Sequence, residues 1–281
     1  MEQNRANPLA KHFRQPAIYL RLPSQGTYWK EGSLELSVSK ELPVYPMTTK
    51  DEITLRTPDA LLNGEGIVKV IESCCPNIRD AWEAPSVDID PILVGIRIAS
   101  YGNEMEVNST CPHCEHSSMH AIDLNNVVDR FRMPDFGKII EVDGLKIKIR
   151  PQKYQAVNEA NMINFEEQRV LQAVVDDELD ENEKSKKFNH HMDRLIDLNL
   201  KSLTESTEYI EADDRKVREK EFIYDFYNNA SAHVTKAVRE RLDELAKEAV
   251  LPKVGVICES CEKDYEISVE FNYSSFFAQG S

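Results

Sequence analysis

Two pairs of cysteines, Cys111-Pro112-His113-Cys114 and Cys258-Glu259-Ser260-Cys261, constrain this chain more than any other feature. Two residues between cysteines form a tight turn that aims both thiolates at one point. Zn²⁺ prefers four ligands at the corners of a tetrahedron, so two such turns complete one site. Short apolar or β-prone segments at 105–107 and 254–257 precede the turns, and strand-like segments at 118–122 and 265–271 follow them. This is the two-knuckle layout of a zinc ribbon. Glu115 and Glu262 stand just after each pair, where glycine is common because that position often needs a positive φ. About 140 residues separate the pairs, but the entropy of closing a loop grows by only about 0.6 kcal/mol per doubling of length. The expectation is one shared site with Cys111, Cys114, Cys258 and Cys261 as ligands to a structural zinc. Such a site is closed to water and substrate, so it stabilises rather than catalyses.

Two separate sites, redox use and free surface thiols are the alternatives. Redox use fits poorly, because neither motif follows a parallel strand and opens a long helix, a setting that lowers a thiol pKa. His113, His116 and His120 lie close enough in sequence to replace one thiolate. The adjacent His190 and His191 point in different directions on a presumed helix, which suits a surface or capping role. Cys74 and Cys75 sit on an apolar helical face as buried small residues. No G-x-G-x-x-G, Walker A, G-x-S-x-G or H-E-x-x-H motif is present, and nothing pairs two carboxylates in a pocket. No catalytic residue is assigned, and the chain is not expected to be an enzyme.

The 281 residues suit about two domains, or one with a large insertion. With 49 acidic against 34 basic residues the net charge is −15, which repels a phosphate backbone. The residues after the knuckles, Glu115-His116 and Glu262-Lys263-Asp264, also have the wrong sign. Both observations weigh against the rival reading, a zinc-ribbon regulator that binds nucleic acid. A hydrophobic content of 41% excludes wholesale disorder. No apolar run approaches the ~18 residues of a membrane span. The start, Met1-Glu2-Gln3-Asn4-Arg5, lacks the apolar stretch of a secretion signal, so a soluble protein of a reducing compartment is expected.

Along the chain the pattern divides into five segments. Residues 1–48 read as an extended, β-rich arm, with alternation at Ile18, Leu20 and Leu22 and again at Leu34, Leu36 and Val38. Its prolines confine any strand to an edge, so the arm either adds a strand to a neighbour or completes this chain's own sheet. Residues 49–104 form a helical block, opened by a capping box at Thr49 and Glu52, continued by a turn at Pro58 and ending in a helix from about Asp88. Residues 105–150 hold the first knuckle, a short helix capped by Asp123 and a hairpin turning at Asp143-Gly144. Residues 151–250 are a helical insertion. Helices are expected from Pro151 to about Val175 and over 183–204, 214–228 and 231–249, with a solvated charge run at 176–187. Residues 251–281 supply the second knuckle. The fold class is α+β: a β-rich arm, a helical block, and a zinc ribbon split by a long helical insertion.

Several unusual strings occur in order: Phe13-Arg14-Gln15-Pro16, Leu22-Pro23-Ser24-Gln25-Gly26, Val44-Tyr45-Pro46-Met47-Thr48 and Lys50-Asp51-Glu52. They continue in Thr57-Pro58-Asp59-Ala60-Leu61-Leu62-Asn63-Gly64, Cys74-Cys75-Pro76 and Ile96-Arg97-Ile98-Ala99-Ser100-Tyr101-Gly102, and close at the first knuckle. Over residues 10–130 this run resembles the T4-type bacteriophage baseplate proteins, described as baseplate hub subunits or hub assembly proteins of contractile-tailed phages. The resemblance implies a non-enzymatic protein acting by contacts with other hub or tail proteins, within a symmetric hetero-oligomer. It implies residence in the host cytoplasm during assembly and, if the protein is retained, in the virion tail. Neither nucleic acid nor membrane is an expected partner.

Overall fold

A computed structural model describes residues 7–57, 64–176, 181–249, 253–267 and 277, without the side chains of 169–185 and 187. The expected turn at Pro58, the middle of the charge run at 177–180 and the last strand's end at 268–271 lie outside the described residues.

The N-terminal segment packs into its own chain. Strands β1 (Ile18–Arg21) and β2 (Glu41–Val44) pair antiparallel with Leu20 opposite Leu42. Leu20, Leu22, Leu42 and Val44 are at most 2% exposed, so of the two roles open to the arm, residues 18–44 take the internal one. The second strand lies later than expected. Leu34 makes only an isolated bridge to Ile78, and Val38 is fully exposed. Alternation marked 34–38, but Leu42 and Val44 are the pair that reach the core. Pro43 is tolerated because both strands of a two-stranded ribbon are edges. Ahead of β1, Arg14 donates to the carbonyls of Pro46 and Ser73, each at 2.7 Å, and pairs with Asp51 at 3.3 Å.

Helix α1 (Thr49–Leu55) opens on a capping box formed by Thr48 and Asp51, one residue earlier than expected. Helix α2 (Glu65–Cys74) buries Ile67, Val70, Ile71 and Cys74. It starts from Gly64 at φ +73°, where a Cβ would lie 2.5 Å from Asn158 Oδ1. Helix α3 (Ser86–Tyr101) begins before Asp88 and buries nearly all its faces, through Ile89, Ile92, Leu93, Val94 and Ile96 among others. Asp88 lies inside this core. It accepts from the Ser24 amide at 3.0 Å, the Trp29 indole at 2.8 Å and the Ser24 hydroxyl. Burial raises its pKa, against the pull of those bonds.

Strands β3 (Glu104–Thr110) and β4 (Ser117–Asp123) form the first knuckle's hairpin, and Asp123 caps α4 (Leu124–Val128) as expected. Strands β5 (Ile139–Val142) and β6 (Leu145–Ile149) turn at Asp143 and Gly144, at φ +50° and +78°. The insertion contains the helices α5 (Tyr154–Asp176) and α6 (Glu181–Glu205). The helix expected over 214–228 starts later, because residues 215–217 are strand. Strands β7 (Thr207–Ala212) and β8 (Arg215–Val217) turn at Asp213 and Asp214, both at positive φ, and α7 (Lys220–Asn229) follows. Tyr209 and Ile210 bury in that hairpin, and β7 pairs with β6 in a four-stranded sheet of order β5-β6-β7-β8. Helix α8 (Ala232–Glu248) is capped by Ser231, and β9 (Val254–Ile257) and β10 (Asp264–Ile267) form the closing hairpin.

Among the described residues the buried apolar side chains gather in three places. The largest core surrounds α3 and takes in β1, β2 and α2. A second joins the four-stranded sheet to α7, α8 and the end of α6 through Ile147, Ile149, Leu203, Ile210, Ile223 and Val238. The third is small: Cys111, Cys258, Tyr265 and Ile267, with Val107, Val256 and Cys261 at its rim.

Candidate metal centre

The two knuckles repeat each other bond for bond. Cys111 N–H donates to His116 O at 2.9 Å, as Cys258 N–H does to Lys263 O at 3.0 Å. Glu115 N–H donates to Cys111 O at 2.9 Å, as Glu262 N–H does to Cys258 O at 2.9 Å. Glu115 and Glu262 adopt φ +59° and +55°. The left-handed turn that glycine usually makes is therefore present in both knuckles, carried by glutamates at a steric cost.

The hairpins bring all four sulfurs together. The possible ligand atoms of Cys111, Cys114, Cys258 and Cys261 all lie within 4.8 Å of one another. Cys111 Sγ is 3.8 Å from Cys261 Sγ, and Cys114 Sγ is 3.6 Å from Cys258 Sγ. A tetrahedron with Zn–S bonds of about 2.3 Å has edges of about 3.8 Å, so the donor set fits such an ion. Disulfides, at about 2.05 Å, do not fit these separations. Cys111 and Cys258 are buried, Cys261 is partly covered and Cys114 is exposed. The Cys261 amide donates to the Cys258 sulfur and, with the Ser260 amide, brings its pKa down to about 6 against the effect of burial. The Lys263 amide pulls Cys261 the same way, but burial and the sulfurs of Cys114, Cys258 and Cys111 push it up to about 12. Cys258 therefore ionises readily while Cys261 holds its proton; a bound divalent cation would favour the thiolate at both.

The histidines stay outside the cluster. His113 and His116 are exposed, and the His113 amide donates to Cys111 Sγ at 3.4 Å. His120 Nε2 instead lies 2.9 Å from the Tyr265 hydroxyl. Sequence reasoning missed Tyr265; its place in the alternation after the second knuckle, facing inward with Ile267, was the available signal. His191 is buried against Glu167, which also pairs with Arg194 at 2.6 Å, so it is neither a surface residue nor a cap. Cys74 and Cys75 are fully buried. Burial pushes Cys74 up to about 12 and Cys75 well above its ordinary value, which leaves both as protonated packing groups. No helix among the described residues is long and apolar enough to cross a membrane.

Fold and site together define an α+β protein whose two distant hairpins meet at a four-thiol cluster. The chain belongs to the family of T4 bacteriophage base plate proteins, whose family model matches residues 30–278. The match runs beyond the strings that carry the resemblance, through the helical insertion and the second knuckle. No curated protein and no solved structure matches the chain.

Proposed function

We propose that this protein is a structural or assembly component of the baseplate hub of a contractile phage tail, stabilised by a zinc ion on Cys111, Cys114, Cys258 and Cys261. The carrying observation is the family match, which spans both knuckles. In this reading the protein works by contacts with other hub or tail proteins in a symmetric hetero-oligomer and turns over no substrate. It assembles in the host cytoplasm and, where retained, stays in the virion tail. Exposed Phe188, Met192 and Ile196, spaced by one helical turn along α6, support a role built on protein contacts. The zinc supplies no chemistry beyond tying the two hairpins.

Quantitative mass spectrometry of purified particles beside the infected-cell lysate tests the hub role. Fixed copy number in particles identifies a subunit, and presence in lysate alone identifies an assembly factor. If the protein co-purifies with no baseplate protein in either sample, the proposal is wrong. Metal analysis of the natively purified chain tests the site: one zinc per chain is expected, and four freely titrating thiols without metal would reject it.

A further inference from the structure

Between the two hairpins, beside the thiols, lies a polar chain that no metal requires. Ser109 Oγ is 2.7 Å from the Tyr265 hydroxyl, and the same hydroxyl is 2.9 Å from His120 Nε2. Ser118 Oγ closes the group at 2.9 Å from His120 Nε2. With the ring proton on Nδ1, a donor relay runs from Ser109 through the tyrosine O–H to the imidazole.

The strand register explains the meeting. On β3 and β4, Ser109 is opposite Ser118 and Val107 is opposite His120, so all four side chains share one face. On β10, Tyr265 and Ile267 share the face turned toward them, and both are buried. The His120 and Tyr265 rings meet edge to face, 5.9 Å between centroids. Tyr265 packs in the same small cluster as Cys111 and Cys258. Its hydroxyl fastens one hairpin to the other across 145 positions of sequence.

We propose that Tyr265, with His120 and Ser109 as its acceptor and donor, is a positioning residue that docks the second knuckle on the first before metal arrives. It presents the four thiols as a formed site. This rests on the metal reading above. Metal binding to a preformed set avoids the ordering cost that otherwise reduces affinity. One hydrogen bond of ordinary net strength corresponds to about fivefold in that affinity.

The experiment uses the full chain with Co²⁺, whose thiolate charge-transfer and ligand-field bands report a tetrahedral sulfur site, and measures affinity by chelator competition. Tyr265→Phe keeps the ring and removes only the hydroxyl. The expected result is about fivefold weaker Co²⁺ binding, with an unchanged spectrum at saturation. His120→Gln, which retains a polar group at reach, should recover part of the loss relative to His120→Ala. Equal affinity in the parent and Tyr265→Phe overturns the positioning role. Absence of the thiolate band in the parent overturns the metal reading itself, so the two failures are separable.

Discussion

Around α3, apolar side chains converge from strands and helices on every side, and Ile92, Val94 and Ile96 show no exposed surface. At the thiol end of the ribbon, beyond Met105 and Ile122 at the base of its first hairpin, Tyr265 and Ile267 are the buried apolar side chains beside the two buried cysteines. Each buried apolar side chain contributes about 1.5–3 kcal/mol, so the first region can hold itself by numbers. The second has too few such groups to order two hairpins, since each residue fixed costs about 1–2 kcal/mol of backbone entropy. It needs strong bonds at one point. The comparison teaches that where two distant hairpins meet over little apolar area, the chain gathers four thiols at one point instead.

The largest expected effect breaks the ribbon alone. If the proposed zinc is bound, a strong chelator, or Cys258→Ser, removes an ion whose binding is worth about 10 kcal/mol or more in small zinc modules. Hydrogen exchange should then rise across 104–123 and 254–267 while α3 stays protected. Equal loss of protection in α3 would show that the two regions are one cooperative unit. Next, Ile96→Ala leaves a cavity in the filled core and should cost about 2–5 kcal/mol by urea unfolding, with Co²⁺ affinity unchanged. A shift in metal affinity would again join the two regions.

Asp88 separates them by pH. Burial raises its folded-state pKa above the unfolded value of about 3.9, so the native state holds that proton more tightly. Its contribution is fully present below the unfolded pKa and is lost as pH rises through the raised value. The stability difference between parent and Asp88→Asn should therefore shrink from pH 4 to pH 7, the reverse of metal binding by thiols, which strengthens as protons leave. A difference that grows over that range contradicts the assignment. The smallest effect sharpens the comparison. Glu115→Gly relieves the positive φ at the first knuckle and should stabilise the metal-bound chain by about 0.5 kcal/mol, read as a small rise in Tm. A fall in Tm would mean that the glutamate side chain stabilises the turn.

The knuckles were legible because two residues between cysteines leave one geometry. The positive φ at Glu115 and Glu262 was forced by that geometry even though the residue type argued against it. The Asp143-Gly144 hairpin and the Ser231 cap were legible for the same local reason. What failed depended on distant partners. Strand β7 falls in the gap between two expected helices, because its strand character depends on β6, where Ile147 stands opposite Ile210. The alternation at Leu34, Leu36 and Val38 is as regular as that at Leu42 and Val44, and pairing with β1 is what makes the second segment a strand. Tyr265 was invisible as a fastener because its partners, Ser109 and His120, lie on another hairpin.

The distance in sequence between the knuckles also fixes an order in time. Cys114 and Cys258 are 144 positions apart, and a ribosome adding about 5–20 residues per second needs roughly 7–30 s to cover that span. Through that interval the nascent chain carries half a binding site. A message cut anywhere in the insertion yields a product that never gains its second pair of sulfurs. Closure of the cluster thus certifies that translation has passed Cys261.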